Sequence, residues 1–213
     1  MGRFLNGLFW IGLLLAVIVG AARLVAIRWW QVPMDDPILE ASIAPTLRGG
    51  DWVLLWRVSP PKFGALTVCP DPTDESRVVI GRILGEEGDT VTVEGTRLTI
   101  DEHEALTETA CPPFKIADPT TGSEIEQTCD MEAAGGTLHM RGNMPAQRQA
   151  LALRTSRKVG EKKVFLLSDN RAYPYDSRNF GSVDRSSCKE TIFFRLVSKA
   201  GFGDEAARLT YIR

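Results

Sequence analysis

From Leu5 to Ala22 eighteen consecutive residues, LNGLFWIGLLLAVIVGAA, carry no charge, and no other property of this chain restricts its folding so strongly. About 20 apolar residues in a helix cross a bilayer's hydrocarbon core, and Arg23 at the end has the reach to extend to the interface. Trp29 and Trp30 follow where interfacial aromatic residues belong. Residues 1–30 are therefore expected to be a single-pass membrane anchor. A cleavable leader competes with this reading, because Val19-Gly20-Ala21 offers small residues at a cleavage point, but the apolar run exceeds the core of a normal leader. A buried core helix is the other competing reading, and the unbroken apolarity of the run argues against it. Arg3 lies on one side and Arg23 and Arg28 on the other, so the charges alone do not place the following domain outside the cell.

The remaining residues, 31–213, read as one domain. Overall 44% hydrophobic and 24% charged residues suit a globular core, and a net charge of -2 leaves no basic surplus to attract nucleic acid. Residues 51–58, 65–69, 77–84, 163–167 and 191–199 are rich in β-branched and aromatic side chains and are predicted strands. TVTV at 90–93 and RLTI at 97–100 alternate with period two around Glu94-Gly95, the pattern of a hairpin. The fold class is mostly β. Residues 101–160 are polar, with weak periodicity, and read as an insertion in which 146–156 is predicted to form a short helix.

The four cysteines contain no C-x-x-C pair, and His103 and His139 stand apart from any pattern of metal ligands, so neither a metal nor a cofactor is expected. An even number of cysteines suits disulfides in an oxidising compartment. Cys111 and Cys129, in one Pro-rich stretch, are the better candidate pair; four unrelated thiols are the alternative.

Three segments carry the functional signal: SIAPTLRGGD at 42–51, VIGRILGEEGDTV at 79–91 and SDNRAYPYDSRNFGSV at 168–183. In order and spacing they resemble the serine, lysine and Gly-Asp-Asn-Arg segments of the type I signal peptidases. The resemblance implies a signal-peptidase-like β fold behind one transmembrane helix, with the soluble domain on the outer face of the plasma membrane. It also implies signal peptides, or extended segments of exported proteins, as partners alongside membrane lipid. Ser42 takes the nucleophile's place, and Arg82, Asp169, Asp176, Ser177 and Arg178 take those of the supporting frame, with Arg82 expected to approach Asp176. Asp169 and Asn170 are expected to fix the backbone beside the serine.

The family's general base is absent. A serine hydroxyl is a weak nucleophile without an adjacent base, and a lysine serves only where burial lowers its pKa. In the family that lysine stands eight positions before the Asp of the Gly-Asp pair, here Asp89, which puts Gly81 in its place. Arg82 stays protonated at any relevant pH, and Lys62 belongs to another segment. Pro174 replaces the serine that hydrogen-bonds the lysine in the family, and Glu40 stands two before Ser42, where a carboxylate opposes a developing oxyanion. Loss of the base costs on the order of a millionfold in turnover, roughly 8 kcal/mol of barrier. The sequence therefore predicts a peptide-binding protein with weak or no proteolysis. The alternatives are a serine endopeptidase with another base (Glu40 in an extended segment, or an imidazole from the insertion) and a scaffold within a membrane complex.

Overall fold

The structure is a computed structural model describing residues 2–143, 145 and 153–212. Helix α1 (Gly2–Ala26) runs without a linker into strand β1 (Ile27–Gln31). Its side chains from Leu8 to Val19 are exposed. Among the described residues no helix is long and apolar enough to cross a membrane.

The body is antiparallel β. Strands β2 (Trp52–Trp56), β3 (Leu66–Asp71), β4 (Asp74–Gly85), β12 (Lys163–Leu167), β13 (Val183–Asp184) and β14 (Glu190–Val197) join β1 in the order β1-β2-β14-β3-β4-β12-β13, and β15 (Thr210–Tyr211) pairs with β14. Alternation decides the faces: Val53 and Leu55 of β2 are buried while Trp52 and Trp56 are exposed. Short helix α2 (Pro37–Ile43) lays Leu39 and Ile43 on Val53, Leu55, Leu66 and Ile80, and this cluster seats the serine segment on the sheet.

The hairpin predicted around Glu94-Gly95 is β5 (Thr90–Glu94) with β6 (Arg97–Ile100), turning at Gly95 with φ 60°. Residues 101–160 depart from the irregular insertion that the sequence suggests. They form β7 (His103–Glu104), β8 (Leu106–Ala117), β9 (Glu124–Ala134), β10 (Thr137–Gly142) and β11 (Thr155–Lys158). Strands β8 to β10 make a sheet of their own, while β11 and β7 flank the β5–β6 hairpin. The period-two signal is missing because β8 buries only Phe114 and Ile116, and β9 turns polar Gln127 and Glu132 inward. Of the helix predicted at 146–156, residues 146–152 lie outside the described residues, and Thr155 and Ser156 belong to β11. Cys111 pairs with Cys129, and Cys69 with Cys188.

Candidate functional site

Asp36 starts α2: its carboxylate accepts the Leu39 N–H at 3.0 Å, and Pro37 follows in the first turn. The helix stops at Ala44, which is extended ahead of Pro45. Ser42 therefore sits in the last turn and is fully buried. Its Oγ donates to the Leu39 carbonyl at 2.9 Å, its one hydrogen bond among the described residues. The helix also removes Glu40 as a base. Positions i and i+2 share a side only in a strand, and about 100° per residue carries Glu40 away from Ser42. Its carboxylate lies 3.7 Å from Lys199 Nζ.

Gly81 lies inside β4, opposite Thr67 of β3. A Cβ added there would stand 3.2 Å from Leu166 Cβ and 3.4 Å from the Leu167 carbonyl oxygen, so β12 lies close against this position. No buried lysine amine accompanies Ser42. The chain has seven lysines, and all seven, Lys62 included, are exposed. Neither histidine pairs with Ser42: His103 is exposed beside the Asp101 carbonyl, and His139 is buried beside Glu132.

Around this gap the supporting side chains are tightly held. Arg82, from β4, does not meet Asp176 as expected; its guanidinium grips Asp169 through Nε–Oδ1 at 2.8 Å and Nη2–Oδ2 at 3.0 Å. Thr46, which the sequence did not single out, donates to the same carboxylate. Asp176 instead caps helix α3 (Ser177–Phe180), accepts the Ser168 N–H at 2.8 Å, and pairs with Arg178 at 2.7 Å. Burial alone would raise the Asp176 pKa, but Arg178 and these hydrogen bonds outweigh it and hold the carboxyl below its ordinary value. Ser177 Oγ accepts the Leu166 N–H at 2.9 Å, locking α3 onto β12. Asn170 reaches the serine itself: its N–H donates to Ser42 O at 3.0 Å, and its Nδ2 to Ala41 O at 2.8 Å.

Behind the frame lies a second buried cluster that sequence reasoning missed. Glu132 of β9 takes Arg141 Nη1 at 2.9 Å and pairs with the fully buried Arg171. His139 Nε2 lies 3.1 Å from Glu132, turned away from a good hydrogen bond, and both its ring nitrogens are unpartnered among the described residues. Burial would raise the Glu132 pKa, but Arg171, His139 and Arg141 together bring it down to about 2. The residue types gave no warning, because the sequence does not reveal which charges of a polar segment face inward.

An open cleft of about 640 Å³ lies beside α2, lined by Trp30, Ile38, Leu39 and Val78, with Asp36 and Arg77 paired at 2.7 Å on its wall. From Asp74 to Gly81, β4 pairs with β3 on one side, and among the described residues no strand covers the other.

Ser42 in its helix, Arg82 of β4 and the Asp169-Asn170-Arg171 segment thus meet through shared hydrogen bonds at one site. The chain belongs to the signal peptidase family, peptidase S26, whose model matches residues 8–197. Among solved structures it is similar to a signal peptidase I from Enterococcus faecalis, with 20% identity, a TM-score of 0.36, and coverage of 63% of this chain and 98% of that one. No curated protein matches the chain.

Proposed function

We propose that this protein is a membrane-anchored, signal-peptidase-like binder of signal peptides or extended segments of exported proteins, with weak or no proteolysis. The observation that carries this reading is the absence of any buried lysine, together with a Ser42 hydroxyl donating to a main-chain carbonyl. Without an acceptor for its proton the hydroxyl stays a poor nucleophile. The apolar cleft and the edge of β4 that no described strand pairs suit a peptide bound by strand addition. The anchor is α1, whose exposed apolar side chains lead directly into Trp29, and two disulfides suit a domain outside the cytoplasm.

The test is a cleavage and binding assay on the full chain in detergent or lipid, using signal-peptide substrates and Ser42→Ala as control. Peptide binding without Ser42-dependent cutting is the expected result. Serine-dependent turnover at enzymatic rates would make the protein a working peptidase and end this reading.

A further inference from the structure

We infer that residues 112–128, the end of the β8–β9 hairpin beyond the Cys111–Cys129 bridge, form an arm that closes over the helix carrying Ser42. In the closed state the arm keeps that hydroxyl away from any bound peptide. This goes beyond the proposed function and rests on it only for the identity of the peptide site.

The hairpin has a fixed base and a lightly held end. Strand β10 pairs with β9 only as far as Cys129, whose partner is Gly142. Up to that point the base is tied down by buried ion pairs, Arg141 with Asp130 and Glu132, and Glu132 with Arg171. At that point the disulfide joins the two strands, so the residues beyond it move together. The arm's outer face, with Lys115, Glu124 and Glu126, is exposed.

Its inner face meets the serine segment through few side chains. Phe114 and Ile116 pack on Ala41 and Ala44, the residues on either side of the Ser42-Ile43 step. Gln127 Oε1 accepts from Asn170 Nδ2 at 2.8 Å, the same group that holds the Ala41 carbonyl. At the tip, Asp118 accepts the Tyr173 hydroxyl at 2.9 Å, and the neighbouring Pro119 lines the cleft. Apolar contacts and neutral-donor hydrogen bonds, among them Asn143 N–H to Thr128 O at 2.9 Å, are weaker than the ion pairs at the base, so opening would start at the arm. Ser42 and Ala41 are at most 1% exposed beneath it.

The test uses Ser42→Cys in the full chain, where every other cysteine is already paired, and follows labelling by a maleimide under non-reducing conditions. Labelling of the intact arm should be at least about a hundredfold slower than in urea, and Phe114→Ala with Ile116→Ala should speed it at least about tenfold in a chain still folded by near-UV circular dichroism. Rapid labelling of the intact chain, or no acceleration in the loosened one, overturns the arm. If the double alanine chain does not fold, Gln127→Ala with Tyr173→Phe removes the two side-chain polar ties and leaves the apolar residues in place, and the same two outcomes decide. Peptide affinity is measured separately on these chains. Accelerated labelling without peptide binding supports the arm and sinks the peptide-binding reading, while peptide binding without acceleration does the reverse.

Discussion

Asp169 and Arg82 form a two-pronged ion pair, 2.8 and 3.0 Å, with both side chains 1% exposed. Thr46 adds a third donor to the same carboxylate. One carboxyl group thus joins the segment after the serine, the strand that carries Gly81 and the Asp-Asn-Arg segment. Arg82, next to Gly81 in β4, supplies the cation that holds these three segments together.

Removing either partner leaves an uncompensated buried charge, which costs roughly 3–5 kcal/mol. Arg82→Ala and Asp169→Ala are each expected to lower the unfolding free energy, read from urea denaturation, by that amount. The double variant should lose less than the sum of the two, because neither charge is then stranded. Additive losses in the cycle would mean that the pair is not the coupling element.

The cluster behind the frame makes stability fall with acid in two steps. Burial, with help from Arg82, lowers the His139 pKa below its usual 6.5 against the pull of Glu132 and Asp169. The unfolded chain then takes up a proton at His139 below about pH 6.5 that the folded chain refuses, so stability falls as pH drops below that value. Glu132 adds a second window. Its depressed pKa contributes stability that is present above its usual 4.5 and lost as pH falls toward about 2. The shift corresponds to roughly 3 kcal/mol. Urea midpoints across the acid range should show both slopes; His139→Gln should remove the first and also shrink the second, because His139 helps to depress the Glu132 pKa.

The mostly β fold was legible because β2, β3, β4, β12 and β14 carry apolar side chains on the sheet's inner face, and the turn at Gly95 stands between two alternating strands. Strands β8 and β9 were not legible, since Phe114 and Ile116 are the only buried residues of β8 and β9 buries Gln127 and Glu132. At the site, spacing alone singled out Gly81, which the structure places inside β4. The partner of Arg82 could not be read from spacing, because Asp169 and Asp176 are seven residues apart on one segment and only its path past β4 and α3 decides between them. Glu40 was misjudged for a similar reason: a seven-residue helix was read as extended chain, and its Asp36 cap is a signal that would have exposed the error.

Restoring the base tests how much of the frame is still usable. A side chain at position 81 must push Leu166 Cβ back by a few tenths of an ångström from 3.2 Å. Gly81→Ala alone is therefore expected to cost about 1–3 kcal/mol. Leu166→Gly in the same chain, which removes that Cβ, should recover part of that loss, read as a non-additive term in denaturation. Gly81→Lys with Pro174→Ser should then give slow peptide cleavage that disappears with Ser42→Ala. A folded triple-checked chain without any cutting would mean that Ser42 Oγ stays committed to the Leu39 carbonyl even when an amine is supplied.

The two disulfides should differ in weight. Cys69 and Cys188 are 119 residues apart and connect β3 to the segment leading into β14, whereas Cys111 and Cys129 close a span of 18. If a cross-link acts mainly by restricting the unfolded chain, its effect grows with the logarithm of the loop, giving roughly 5 kcal/mol for the first and about 3 kcal/mol for the second. Cys69→Ser with Cys188→Ser is thus expected to reduce stability more than Cys111→Ser with Cys129→Ser. The second pair has a separate consequence, since it frees the strands at the start of the arm over Ser42. Its loss should raise hydrogen exchange at 112–128 while leaving β2 to β4 protected. Equal deprotection of both regions would show that the bridge supports the whole domain and not the arm alone.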